Sequence, residues 1–287
     1  MAASNISRTR TSPPLPLRTV RRPRTGRITP GLSCPGPKAK EKPTMPGYGS
    51  GGGGGSGHPS AVTRNTLRQQ IADALRDEVL AGRMQPGQEF TVKEIADQYG
   101  VSATPVREAL VDLSAQGLLD SDQHRGFKVH QFSFDDFRTM VETRSLIVDA
   151  IFGHVTRSRP SPPAPQALLS VRRRAEEAAR AARSGDLDIL IGYDLRFWRE
   201  LGALVANRYL CDFLHRLRVQ AWVFSVPFMR LDAELPDRLW GGHQGIVDAV
   251  TRGDAAGVRA EIRAYDDHAL AWAERMEQRE RQSRREG

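Results

Sequence analysis

The sequence predicts a mainly α fold in two parts: three short helices closed by a small β-hairpin, then an all-α bundle of six or seven helices. Three features predict it. Apolar residues return every three or four positions from Leu67 onward, as in helices with one buried face. Two short segments, Leu118-Leu119-Asp120 and Gly126-Phe127-Lys128-Val129, flank a polar turn in the manner of a hairpin. Gly185-Asp186 and Gly253-Asp254 each join a helix stop to the N-cap of a following helix.

Residues 1–60 lack apolar periodicity, are rich in proline and carry a Gly/Ser run from Gly49 to Gly57. Such a segment cannot bury enough surface to offset its ordering entropy, so it reads as a disordered basic Pro/Gly-rich tail. Three roles fit it. It shares the Arg- and Ser-rich, acid-poor composition of a transit peptide, without a convincing amphipathic helix. It suits a basic arm attracted to phosphates. It also suits a dispensable extension, including a start assigned too early.

From Thr66 the pattern changes. Leu67, Ile71, Leu75 and Val79 recur at i+4, with Ala74 beside them, and Gly82 ends the helix before a Pro86-Gly87 turn. Thr91 with Glu94 three residues on is a capping box for a second helix, which buries Ile95 and Ala96 and stops at Gly100. Ser102 or Thr104 caps a third, with Pro105 in its first turn and Ala109, Leu110 and Leu113 inward; Gly117 stops it. Three helices and a hairpin in this order make a winged helix-turn-helix over residues 61–131. A small helical bundle with an incidental hairpin has the same order.

Residues 132–283 read as all helix. Ser133, with Asp136 at the third position, caps Phe134–Val155, and the prolines from Pro160 to Pro165 break it. Further helices are predicted at Gln166–Arg183, Leu187–Val205, Tyr209–Met229, Asp237–Arg252 and Ala255–Glu280. Trp222, Phe224 and Phe228 are apolar enough for either core or interface.

Composition bounds the function. The 287 residues suffice for two domains and a tail, and 39% hydrophobic with 26% charged residues is a globular composition. No run of about 18 apolar residues supports a membrane span. Cys34 and Cys211 lie too far apart to suggest a disulfide framework or a metal knuckle, which fits a reducing cytoplasm. The formal charge of +8 misleads: ten of the 42 Lys+Arg but only Glu41 of the 34 acids stand in residues 1–60, so the rest is nearly neutral. Overall basicity therefore says nothing about nucleic-acid binding by the folded part; local placement must.

Several stretches together resemble the DNA-binding domain of the GntR family of transcription regulators. They are Leu80 to Gly87, Ile95-Ala96, Gly100-Val101-Ser102 to Pro105-Val106-Arg107-Glu108-Ala109-Leu110, Gly117-Leu118-Leu119 and Arg125-Gly126-Phe127. The likeness runs over about 65 residues. More loosely, Glu142-Thr143-Arg144, Asp194 to Trp198, Asn207 to Leu210 and His243 to Ala249 with Gly253-Asp254 are similar to the FCD effector domain of the FadR-type subfamily.

The resemblance implies that the third helix enters the major groove by its N-terminal end. Ser102, Ala103, Thr104 and Arg107 would lie there, with Arg107 long enough to fork onto a guanine edge. Lys93 would contact phosphate or base, and the wing tip His124-Arg125-Gly126 the minor groove or backbone. The family commonly has Arg at the position of Ala103, so the operator preference would differ.

FCD domains commonly hold a divalent metal with an Asp, a His four residues on and two further His. Here these positions are Asp194, Trp198, His243 and Tyr265, with His268 three residues beyond the last. One reading keeps a degenerate metal site of Asp194, His243 and His268. The other is a metal-free effector pocket, with Trp198 and Tyr265 as walls and Asp194 and His243 as polar anchors. In it, Arg144, Arg196 or Arg199 would pair a ligand carboxylate. No cofactor is otherwise implied. The expected function is a cytoplasmic, dimeric regulator, acting as a repressor on palindromic double-stranded operator DNA and switched by a small organic acid or related metabolite. An enzyme using Asp194, His243 and Tyr265 is the competing class, but no activated nucleophile or cofactor loop accompanies them.

Overall fold

Helix α1 (Ala61–Leu80) turns Ile71, Ala72, Leu75 and Val79 inward and ends at Gly82, whose φ of +67° suits glycine. The computed structural model describes residues 61–122, 126–158, 163–232 and 234–286. The expected tail over 1–60, and His124 and Arg125 of the expected wing tip, lie outside the described residues. Strand β1 (Glu89–Phe90), α2 (Val92–Tyr99), α3 (Ala103–Ala115), β2 (Leu119–Asp122) and β3 (Gly126–Val129) follow.

The capping box forms as predicted: Glu94 N–H donates to Thr91 Oγ1 at 3.2 Å and Thr91 N–H to Glu94 Oε2 at 2.8 Å. The three strands make an antiparallel sheet in the order β1-β3-β2. β1 was not anticipated, because two residues carry no alternation to read. It pairs Glu89 with Lys128 and Phe90 with Phe127, whose rings stack at 6.5 Å.

The remaining helices are α4 (Phe134–Ser158), α5 (Pro165–Ser184), α6 (Leu187–Val205), α7 (Arg208–Met229), α8 (Leu235–Arg238), α9 (His243–Thr251) and α10 (Ala255–Glu286). The predicted caps are present: Ser133 Oγ accepts from Asp136 N–H, Asp186 from Ile189 N–H and Asp254 from Gly257 N–H. The single helix expected over Asp237–Arg252 is instead two, because Gly241-Gly242 interrupts it; two glycines in a helix interior cost about 1 kcal/mol each. α10 runs past the predicted end, its last turns tied by the i,i+4 pairs Glu277–Arg281 and Glu280–Arg284.

One core cluster crosses the expected domain boundary. Val106, Leu110, Leu113 and Leu118 share it with Leu187 and Ile191 of α6 and with Val219, Val223 and Val226 of α7. A second gathers Phe197, Trp198, Ile246, Val247 and Val258. A third joins Phe137, Val141, Phe224 and Trp272, with Phe228 packed against it, so Phe224 and Phe228 belong to the core. α7 touches all three.

Candidate functional site

The first site is the N-terminal end of α3. Ser102 is the N-cap, but its side chain makes no capping bond, which leaves the hydroxyl and the first-turn N–H groups open to a partner. Ser102, Ala103, Thr104 and Arg107 are all exposed, while Val106, Ala109 and Leu110 on the other side are fully buried. Arg107 forms no ion pair or hydrogen bond with the described residues. Lys93 is exposed in the first turn of α2. Gly126 has a requirement of its own inside the sheet: at φ +101° a Cβ would stand 2.6 Å from the Phe90 carbonyl oxygen.

The second site is a buried polar cluster between α4, α6, α7, α9 and α10. Asp194 and His243 are each 1% exposed and meet at 2.9 Å, His243 Nε2–H donating to Asp194 Oδ1. The same oxygen accepts from Trp198 Nε1 at 2.9 Å, and Oδ2 accepts from Trp222 Nε1 at 2.8 Å. Burial opposes ionisation of Asp194. The bonds from His243 and Trp222 and the charge of Arg218 outweigh it and hold the carboxyl below the ordinary carboxylate range. His243 Nδ1 is buried without a partner. Tyr265 lies between Trp198 and Trp240, its ring centroid 5.2 and 4.8 Å from theirs; burial and then the Asp194 charge push its phenol pKa up.

These groups border a cavity of about 60 Å³ lined by Arg144, Asp194, Arg218, Trp222, His243 and Tyr265, among others. Beyond Arg218 lies a second cavity of about 70 Å³, lined mostly by aliphatic side chains.

Residues 67–129 match the profile of the bacterial regulatory proteins of the gntR family, and residues 144–268 match that of the FCD domain. A probable D-xylose utilization operon transcriptional repressor of Paenarthrobacter nicotinovorans is 31% identical over 194 residues, 67% of this chain and 82% of that protein. The chain belongs to the GntR family. It is a transcription regulator with an FCD effector domain, not an enzyme. The repressor RspR of Escherichia coli K12 is 26% identical over 213 residues, 74% of this chain and 90% of its own. The structure of E. coli McbR/YncC shares the fold, with a TM-score of 0.57 at 22% identity over 73% of this chain and 97% of that one. No helix among the described residues is long and apolar enough to cross a membrane.

The metal reading does not survive the geometry. A divalent ion needs several lone pairs converging on one point. Here N–H donors occupy both oxygens of Asp194, and the indole of Trp198 has a proton where a ligand needs a lone pair. His268 bonds the Arg238 carbonyl at 2.9 Å, so Asp194, His243 and His268 do not assemble as a ligand set. Among the described residues no three His, Cys, Asp or Glu side chains are placed to hold a metal.

The cations also differ from expectation. Arg144 is committed: its Nε donates to Asp266 Oδ1 at 3.0 Å, Nη2 reaches the same oxygen, and Ser145 Oγ holds Oδ2. Arg196 lies exposed over the Tyr193 ring at 5.4 Å, and Arg199 contacts His215. Of the cations lining the cavity, Arg144 is paired with Asp266 and Arg238 with Asp232; Arg218, which the sequence reading missed, has no acidic partner among the described residues. Its signal was available: Arg218 stands on the α7 stripe of Leu214, Ala221 and Ser225, where a charge has no solvated face.

Proposed function

We infer that the chain is a cytoplasmic, ligand-responsive repressor that binds a palindromic operator as a homodimer and is switched by a small organic acid or related metabolite. Residues 61–131 form the DNA-binding head. Residues 132–283 form the effector and dimerisation domain, and each head of the dimer reads one half-site. One observation carries the reading: the exposed first turn of α3 is built on the same core as α7, whose adjoining face lines the buried polar cavity. The two repressors among the relatives support the sign of regulation.

On DNA, Arg107 reads a base edge in the major groove, Ser102 and Thr104 contact bases or phosphates, and Ala103 gives room against a thymine methyl. Lys93 and the wing residues His124, Arg125 and Gly126 bind the backbone or minor groove. Asp194, His243, Trp198, Tyr265 and Arg144 shape the effector site, Arg144 by holding Tyr265 and Asp266 in place. A ligand in the cavity repositions α7, and α7 moves the head: a shift between two arrangements with different half-site spacing.

A footprint on the DNA upstream of the gene, repeated with the cell's soluble small-molecule pool, tests this. Two protected half-sites about one helical turn apart are expected. Absence of protection, together with an unretarded duplex in a mobility shift, would remove the assignment.

A further inference from the structure

Arg218 is 4% exposed and makes no hydrogen bond or ion pair with the described residues; its Nε is buried without an acceptor. Its guanidinium carbon stands 4.2 Å from the centre of the Trp198 ring. The nearby carboxylates are taken: Asp194 accepts from His243, Trp198 and Trp222, and Asp266 from Arg144 and Ser145. Burial, and next the charge of Arg144, lower the Arg218 pKa to about 10, so it remains a cation at neutral pH. A buried guanidinium with unused donors is an unmet demand for an anion.

Arg218 also lies where the two cavities meet. On one side are polar groups, among them Asp194, Ser225, His243 and Tyr265. On the other are Val148, Ile151, Leu201, Val258 and Ile262. Of the polar members of that second lining besides Arg218, Arg199 and His215 contact each other, and Cys211 is the third. Arg218 is the buried lining guanidinium without an acidic partner among the described residues, and it matches one carboxylate. A second carboxylate would face the Asp194 and Asp266 charges on the polar side, or on the other side a mostly aliphatic wall whose further cation, Arg199, is exposed and already set against His215.

We propose that Arg218 anchors the effector's carboxylate and that the effector is a small monocarboxylate whose apolar tail occupies the aliphatic cavity. This rests on the reading of the helical part as an effector domain, and it names the ligand class and the residue that selects it.

All four tryptophans, Trp198, Trp222, Trp240 and Trp272, line one or other cavity, so intrinsic fluorescence reports entry. The test titrates the full chain with the series acetate, butanoate, isovalerate and hexanoate, with isovaleramide as the neutral match and succinate as the dicarboxylate. Fluorescence and the thermal midpoint are read together. At least one monocarboxylate longer than acetate is expected to shift the emission and raise the midpoint. Isovaleramide and succinate should bind at least tenfold more weakly. Arg218→Met should lose the response yet unfold at a higher temperature without ligand, because an apolar side chain replaces an unpaired charge. A purely structural arginine would give the opposite shift.

Equal binding of amide and acid, an undiminished response in Arg218→Met, or silence across the series would each overturn the proposal. The amide comparison uses the unaltered chain, so it decides even if the variant fails to fold. Succinate bound equally well by wild type and Arg218→Met would refute the anchor while leaving an organic-acid regulator standing. Failure of the full chain to retard operator DNA would refute the underlying reading instead.

Discussion

Gln220 on α7 donates from Nε2 to the carbonyl oxygen of Gln116, the C-cap of α3, at 2.7 Å. Two positions away on either side stand Arg218 and Trp222, both lining the polar cavity. The bond therefore ties the end of α3 to the helix that lines the polar cavity. Gly117 sits against it: at φ +72° a Cβ there would lie 2.6 Å from Gln220 Nε2. Gln220→Ala removes the donor and should cost about 1 kcal/mol in urea unfolding. It should also shrink the change in operator affinity that ligand produces. A variant with an unaltered ligand response would show that coupling runs elsewhere.

Arg107 is exposed beside the open N-terminal turn of α3, and its loss should weaken specific operator binding by about 1–3 kcal/mol. Stability should hardly change, since Arg107 has no ion pair or hydrogen bond among the described residues. Ala103→Arg should shift the preferred operator by adding a guanidinium where the chain has a methyl. Mobility-shift titrations on the footprinted site and on base-substituted sites check both, and unchanged affinity in Arg107→Ala would contradict the groove assignment.

What was legible in the sequence follows the reach of local physics. The capping box at Thr91 and Glu94, the Ser133 cap and the Gly-Asp junctions depend on residues within four positions, and they appear where expected. The split between α8 and α9 was also written locally, in Gly241-Gly242, and was overridden by the apolar spacing around it. β1 exists only because β3 offers it a ladder, so nothing in Glu89-Phe90 announces it. At the buried site, the positions Asp194, Trp198, His243 and Tyr265 were legible; their partners were not. That Asp266 would take Arg144, 122 residues away, and leave Arg218 alone depends on how α4, α7 and α10 pack.

Asp194 accepts three N–H donors while 1% exposed, so its charge is satisfied only as a carboxylate. Asp194→Asn substitutes an amide N–H for an oxygen that faces one of those donors, leaving two buried donors opposed. The expected loss is about 3 kcal/mol, in line with breaking a buried charged pair. Urea unfolding monitored by circular dichroism measures it. EDTA should leave the wild-type midpoint unchanged, because this carboxylate is occupied by indole and imidazole protons. A chelator-induced drop of several degrees would reverse that conclusion.

His215 supplies the pH dependence. Burial, then the charges of Arg199, Arg76 and Arg218, hold its imidazole pKa down at about 4, against an ordinary 6.5. The unfolded chain thus takes up this proton near pH 6.5, the folded chain only near 4. Between those values the unfolded state binds more protons, so stability is fully present above pH 6.5 and drains away as the pH falls toward 4. His268, also lowered by burial although the Arg238 carbonyl opposes the shift, adds in the same direction. The lowered carboxyls of Asp136, Asp194 and Asp232 lose their contribution at more acidic pH, and that of Glu277 only from the acid end of the window downward, so the window's upper part belongs to the histidines. His215→Gln has no proton to take up. Its stability relative to wild type should therefore rise steadily as the pH is lowered through the window, in urea unfolding measured at half-unit steps. A difference that does not vary with pH would mean that His215 titrates alike in the folded and unfolded chain, and that the cations around it do not act on it.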